Sequence, residues 1–112
     1  MTLAPFDVVV VPFPYSDTLA EKRRPAVVVS VSGLEADLGL LWLAMVTSAP
    51  GALRMGDARV TDLAAAGLAV PCRVRAAKLA TLDRPRIVRR TGALSPGDAA
   101  ALASALQVCA AF

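Results

Sequence analysis

The chain contains no histidine. Proton transfer near neutral pH therefore has no imidazole to draw on, and a zinc site would lack its commonest nitrogen ligand. Guanidinium groups are what the sequence offers instead. Lys22, Arg23 and Arg24 form one cluster; Arg73, Arg75, Lys78, Arg84, Arg86, Arg89 and Arg90 form another, interrupted by the single acid Asp83. All but Lys78 of the second cluster are arginine, whose planar fork can give two parallel hydrogen bonds to a phosphate. The net charge is only +3 and the sequence pI about 9.4, so the clustering carries the signal rather than the total. It points to a polyanionic partner, against the plainer reading of a solvated basic face. Asp17 and Glu21 are the carboxylates nearest the first cluster. Cys72 and Cys109 share no metal-ligand spacing and read as reduced, buried thiols. Of the aromatics, Tyr15 lies beside the basic cluster and could stack on a base, whereas Trp42 reads as core or subunit interface.

The elements that must position these groups are mainly strands. Phe6–Pro12 is a β-branched run ended by proline, and Pro25–Val31 is another that starts with one. Neither alternates in polarity, so both faces should be covered. Residues 13–24 between them read as a loop. Ser32–Gly39 is a connection with room for a helical turn, and Leu40–Thr47 is a third strand. Ala58–Thr61 is a short strand, and Thr61–Gly67 a helical turn closed by glycine. Val70–Leu82 is extended, with Arg73, Arg75 and Ala77 on one face and Cys72, Val74 and Ala76 on the other. A turn at Asp83–Arg86 leads to a last strand at Ile87–Gly92. Ser95, Pro96 and Asp98 have the chemistry of N-cap, N1 and N3 of a helix. Leu102, Leu106 and Cys109 form its apolar stripe. The expected fold class is mainly β with a C-terminal helix, the strands forming a small bent antiparallel barrel.

With 112 residues, the chain is long enough for one domain, expected to span residues 1–112. Its apolar fraction is 56% and its mean hydropathy +0.59, more than a small soluble domain can bury alone. The longest apolar run, Leu38–Val46, falls well short of the roughly 20 residues of a membrane span. The surplus therefore implies a homodimer. The start of the chain lacks a basic n-region and a signal cleavage site, which implies a cytoplasmic protein with no membrane partner.

Four segments in order, covering nearly the whole chain, resemble the MazF/PemK (Kid-like) family of type II toxin–antitoxin ribonucleases. They are Asp7-Val-Val-Val-Val-Pro-Phe-Pro-Tyr15, Lys22-Arg-Arg-Pro-Ala-Val-Val-Val-Ser30, Met45-Val-Thr-Ser48, and Gly67–Arg75 continued through Lys78–Asp83 to Gly92-Ala-Leu-Ser95. The second, a basic residue followed by Arg-Pro and an aliphatic strand, is the most distinctive.

The resemblance implies an SH3-like barrel with an added helix. It also implies an endoribonuclease that cuts single-stranded RNA without metal or cofactor, through 2′-OH attack giving 2′,3′-cyclic phosphate and 5′-OH ends. Arg24 matches the active-site arginine before the proline, Thr47 the hydroxyl residue ending the third strand, and Arg75 an arginine of Kid-like sites. Lys22, Arg23, Tyr15, Ser48, Arg73 and Lys78 are the expected RNA contacts. Ala77 stands where Kid-like members carry an aspartate assigned to proton transfer. The partners implied are a second copy of the chain, RNA, and an antitoxin whose acidic or amphipathic segment occupies the RNA groove; promoter DNA would be reached only through that antitoxin. The rival reading is a non-catalytic module of the same fold that blocks a protein such as gyrase.

Overall fold

The computed structural model describes residues 2–13, 22–48 and 51–112. Six strands form one sheet: β1 (Asp7–Phe13), β2 (Lys22–Val28), β3 (Leu40–Thr47), β4 (Asp57–Arg59), β5 (Arg73–Asp83) and β6 (Arg89–Ala93). Their spatial order is β4-β5-β3-β2-β1-β6, and every neighbouring pair is antiparallel. The helices are α1 (Ser32–Leu38), α2 (Leu63–Ala66) and α3 (Pro96–Cys109). The expected mainly β architecture with a terminal helix is thus present, as a sheet curled into a half-barrel. No helix among the described residues is long and apolar enough to cross a membrane.

Alternation along the strands sends side chains to two opposite faces. One face gathers Val8, Val27, Ala44, Val46, Val74 and Ala76, and α3 covers it with Leu102 and Ala105. The other gathers Val9, Val11, Ala26, Val28, Leu41, Leu43 and Met45, closed by Leu3, Leu82 and Ile87. A half-barrel with apolar contents on both faces explains why β1 and β2 lack polar alternation. Strand β5 carries a bulge: Ala44 pairs with Leu79 but the next residue, Met45, pairs with Arg75, so Ala76–Lys78 lie outside the ladder with β3. Such a bulge bends a strand sharply.

Several boundaries differ from expectation for physical reasons. Strand β2 begins at Lys22 rather than Pro25, because Lys22, Arg23 and Arg24 pair with Phe13, Pro12 and Val11 of β1. Residues 14–21 of the expected loop lie outside the described residues. Ser32–Leu38 forms a complete short helix, stopped by Gly39 in the left-handed region at φ 69°. At the head of α3, Ser95 caps Asp98 as expected, its hydroxyl accepting from the Asp98 amide at 3.2 Å. The buried stripe of α3 is Asp98, Leu102 and Ala105, one turn earlier than expected, so Cys109 is exposed rather than buried.

The Asp98 carboxylate ties the helix to the chain entering α2. It accepts the Thr61 amide at 3.0 Å, the Thr61 hydroxyl at 2.7 Å and the Asp62 amide at 3.0 Å. Burial alone would push this carboxyl up; the hydrogen bonds from Asp62 and Thr61 outweigh it and hold the carboxyl below its ordinary range. Gly67 ends α2 at φ 70°, with its Cα against the Thr91 backbone where a Cβ would collide.

Candidate active site

Strand β2 carries its basic cluster at the end of the sheet, where β3 also ends. The β2–β3 ladder ends with Ala26 opposite Met45, so Arg24 and Thr47 each lie two residues beyond its last pair. Pro25 and Val46 line one cleft, of about 240 Å³, together with Lys22, Arg23, Arg24, Ser48, Val70 and Cys72. The three cations and Ser48 are exposed, while Val46 and Cys72 form a buried wall. Burial raises the Cys72 thiol, which disfavours its nucleophilic thiolate.

Across β3, Thr47 pairs with Arg73 and Met45 with Arg75. Residues paired across strands share a face, so Arg24, Thr47, Arg73 and Arg75 belong to the face of Ala26 and Met45. Thr47 and Arg75 do not line the cleft itself. Arg24 is the residue common to both groups: it lies on the cleft and, like Thr47, two residues beyond the last β2–β3 pair. The expected grouping of Arg24, Thr47 and Arg75 is therefore compatible with the sheet, and Lys22, Arg23 and Ser48 lie alongside. Lys78 is exposed within the β5 bulge. Tyr15, Asp17 and Glu21 lie outside the described residues.

Arg73 requires a correction. Expected to meet RNA, it is instead buried, its side chain 5% exposed beside the 1% exposed carboxylate of Asp57. One terminal nitrogen donates to the Ala52 carbonyl at 2.7 Å and to Asp57 Oδ2 at 3.0 Å; the other donates to the Gly51 carbonyl at 3.0 Å. It fastens the chain after β3 onto β5. Strand alternation alone gave it the same outlook as Arg75; the segment at Gly51 and Ala52 covers it.

Asp57, which the sequence did not mark, is the centre of this arrangement. Its Oδ2 also accepts the Arg54 amide at 2.9 Å, and its Oδ1 faces Arg75 Nε at 3.5 Å. Burial would raise this carboxyl; the Arg54 amide, the Arg73 hydrogen bond and the charges of Arg75 and Arg73 together hold it low, so it stays ionised. The signal available in the sequence was weak: one aspartate in a short segment, made significant only by β4 pairing with β5. Arg75 keeps 31% of its side chain exposed.

A second, apolar groove of about 570 Å³ runs between β3, β5 and the end of α3, lined by Trp42, Leu79, Ala80, Leu106, Cys109 and Phe112 among others. Trp42 and Leu79 are each 49% exposed, so the tryptophan is not core.

Comparison with known proteins accords with this architecture. The profile of the PemK-like, MazF-like toxins of type II toxin–antitoxin systems matches residues 4–109. No curated protein matches the chain by sequence. Among solved structures, MazF from Deinococcus radiodurans is similar with a TM-score of 0.74 at 22% identity, covering 95% of this chain and 94% of that one. The Mycobacterium tuberculosis toxin MazF-mt6 gives 0.72 at 20% identity, with 89% and 91% covered. A mycobacterial endoribonuclease in complex with its cognate antitoxin gives 0.72 at 13% identity, with 94% and 89% covered. These likenesses extend over almost the whole of each chain. With a family profile that spans all six strands and the terminal helix, they place this protein in the PemK-like, MazF-like toxin family of type II toxin–antitoxin systems.

Proposed function

We propose that this toxin is an endoribonuclease that cleaves single-stranded RNA in the cytoplasm through attack of a ribose 2′-OH on the adjacent phosphorus. The observation that supports this reading is the position of Arg24, on a cationic cleft and two residues beyond the Ala26–Met45 pair, as Thr47 is on β3. As the P–O bond to the 5′ leaving oxygen breaks, the phosphorane gathers negative charge on its non-bridging oxygens. A guanidinium is permanently cationic and can donate twice to those oxygens. The Thr47 hydroxyl adds a neutral donor, and Arg75 a second charge from β5. The nucleophile belongs to the substrate, so the reaction requires no metal-bound water.

Lys22, Arg23, Ser48 and Lys78 are assigned to the RNA backbone, and Tyr15 to base stacking on the strength of the sequence alone. The apolar groove around Trp42 and Leu79 is assigned to a second copy of the chain. It supplies the exposed apolar surface that the composition demands, with Trp42, Leu79 and Phe112 all exposed along it. An antitoxin with an acidic segment would compete with RNA for the cations of β2.

The test is incubation of the purified protein with a long single-stranded RNA in EDTA, beside Arg24→Ala. Discrete fragments with 5′-OH ends are expected from the wild type. The variant should lose about 10²–10³-fold in rate, the usual cost of one preorganised donor. Intact RNA with the wild type would favour instead a module that inhibits by binding a protein.

A further inference from the structure

We propose that Asp57 is a positioning residue that aims Arg75 at the scissile phosphate, an inference that rests on the nuclease reading above. Strand β4 contributes little to the core, yet it places an ionised carboxylate directly opposite Arg75 in the β4–β5 register. That carboxylate is itself immobile. It is 1% exposed and held by the Arg54 amide at 2.9 Å and Arg73 at 3.0 Å, which use Oδ2. Oδ1 faces Arg75 Nε at 3.5 Å, an ion pair without a hydrogen bond between two buried atoms. An arginine drawn towards a buried carboxylate at Nε can turn its two terminal nitrogens outward, and these form the edge that meets a phosphate bidentately. Arg75 is partly exposed, as a group serving both purposes must be. Arg73, by contrast, spends its terminal nitrogens on Gly51, Ala52 and Asp57. One buried acid thus holds two arginines, and only Arg75 keeps an outlook to solvent.

The test is a double-mutant cycle with Asp57→Asn and Arg75→Ala, read as kcat, KM and melting temperature. Asp57→Asn should lower kcat about tenfold to a hundredfold, the scale of a misaimed group, with KM changed less than about twofold. In the Arg75→Ala background, Asp57→Asn should leave kcat unmoved while its melting penalty persists, because Arg73 still loses its carboxylate. Arg75→Lys supplies an independent arm that leaves the Asp57–Arg73 contact intact. It keeps the charge but not the Nε contact, and should match the kcat of Asp57→Asn. Multiplicative losses in the cycle, or wild-type kcat for Arg75→Lys, would overturn the assignment of Asp57 and leave the nuclease reading standing. A wild-type protein that leaves RNA intact would overturn both.

Discussion

Replacing Arg73 with alanine separates a buried anchor from an RNA contact, two roles that strand alternation alone could not distinguish. The substitution removes contacts to Ala52, Gly51 and Asp57, all at 3.0 Å or less, from a side chain 5% exposed. Breaking a buried ion pair from one side costs roughly 3–5 kcal/mol, because the remaining charge is stranded. Here Asp57 keeps the Arg54 amide and Arg75, so the lower end, about 3 kcal/mol, applies. A chain of 112 residues has in all roughly 6–17 kcal/mol. The loss is therefore a large fraction of the total, and should lower the melting temperature by roughly 12 °C. Urea unfolding at pH 7 measures the first quantity and a thermal scan the second. Affinity for 2′-O-methyl RNA, which lacks the attacking hydroxyl, measures binding without cleavage. Arg73→Ala should keep the wild-type dependence of that affinity on salt, whereas Arg23→Ala should lose about 0.7 from the log–log slope. An Arg73→Ala protein as stable as wild type, but with the shallower slope, would refute the anchor assignment.

Three further outcomes are expected. Asp98 and Asp57 are both held below the ordinary carboxylate value of 3.8, so their stabilisation is present above that pH and disappears as the pH falls through their folded-state values. The melting-temperature gap between wild type and Asp98→Asn should accordingly be wide at pH 7 and narrow below pH 3.8; an equal gap at both would be contrary. Gly67→Ala should cost more than about 1 kcal/mol, since alanine is strained at φ 70° and its methyl meets the Thr91 backbone, as chemical unfolding will show. Trp42→Glu should convert a dimer to a monomer in light scattering, with the fold retained in circular dichroism; a monomeric wild type would remove the groove from consideration as a subunit interface.

What the sequence disclosed, and what it did not, follows the range of the forces involved. Strand β3 was legible to the residue because the signals at its ends are local in sequence: Gly39 before it and Ser48-Ala-Pro-Gly51 after it. The start of α3 was equally legible, since Ser95, Pro96 and Asp98 act on the backbone beside them. Strand β2 was misjudged at its start because Lys22–Arg24 is extended only by virtue of its distant partner Phe13–Val11. Arg24 and Thr47 could be matched through the family resemblance, but that each lies two residues beyond the last β2–β3 pair is visible only in the sheet. Asp57 was invisible: its partners Arg73 and Arg75 reach it only when β4 docks on β5. The same docking, with Gly51 and Ala52 laid over it, reverses the expectation for Arg73.

The bulge in β5 leaves one position tolerant of change. Ala77 sits where the strand has left the β3 ladder, and its side chain is exposed. A carboxylate could be gained or lost at that position with little disturbance to the scaffold, because neither strand register nor core packing depends on it. The side chain at that position is thus set independently of the charged framework that flanks it.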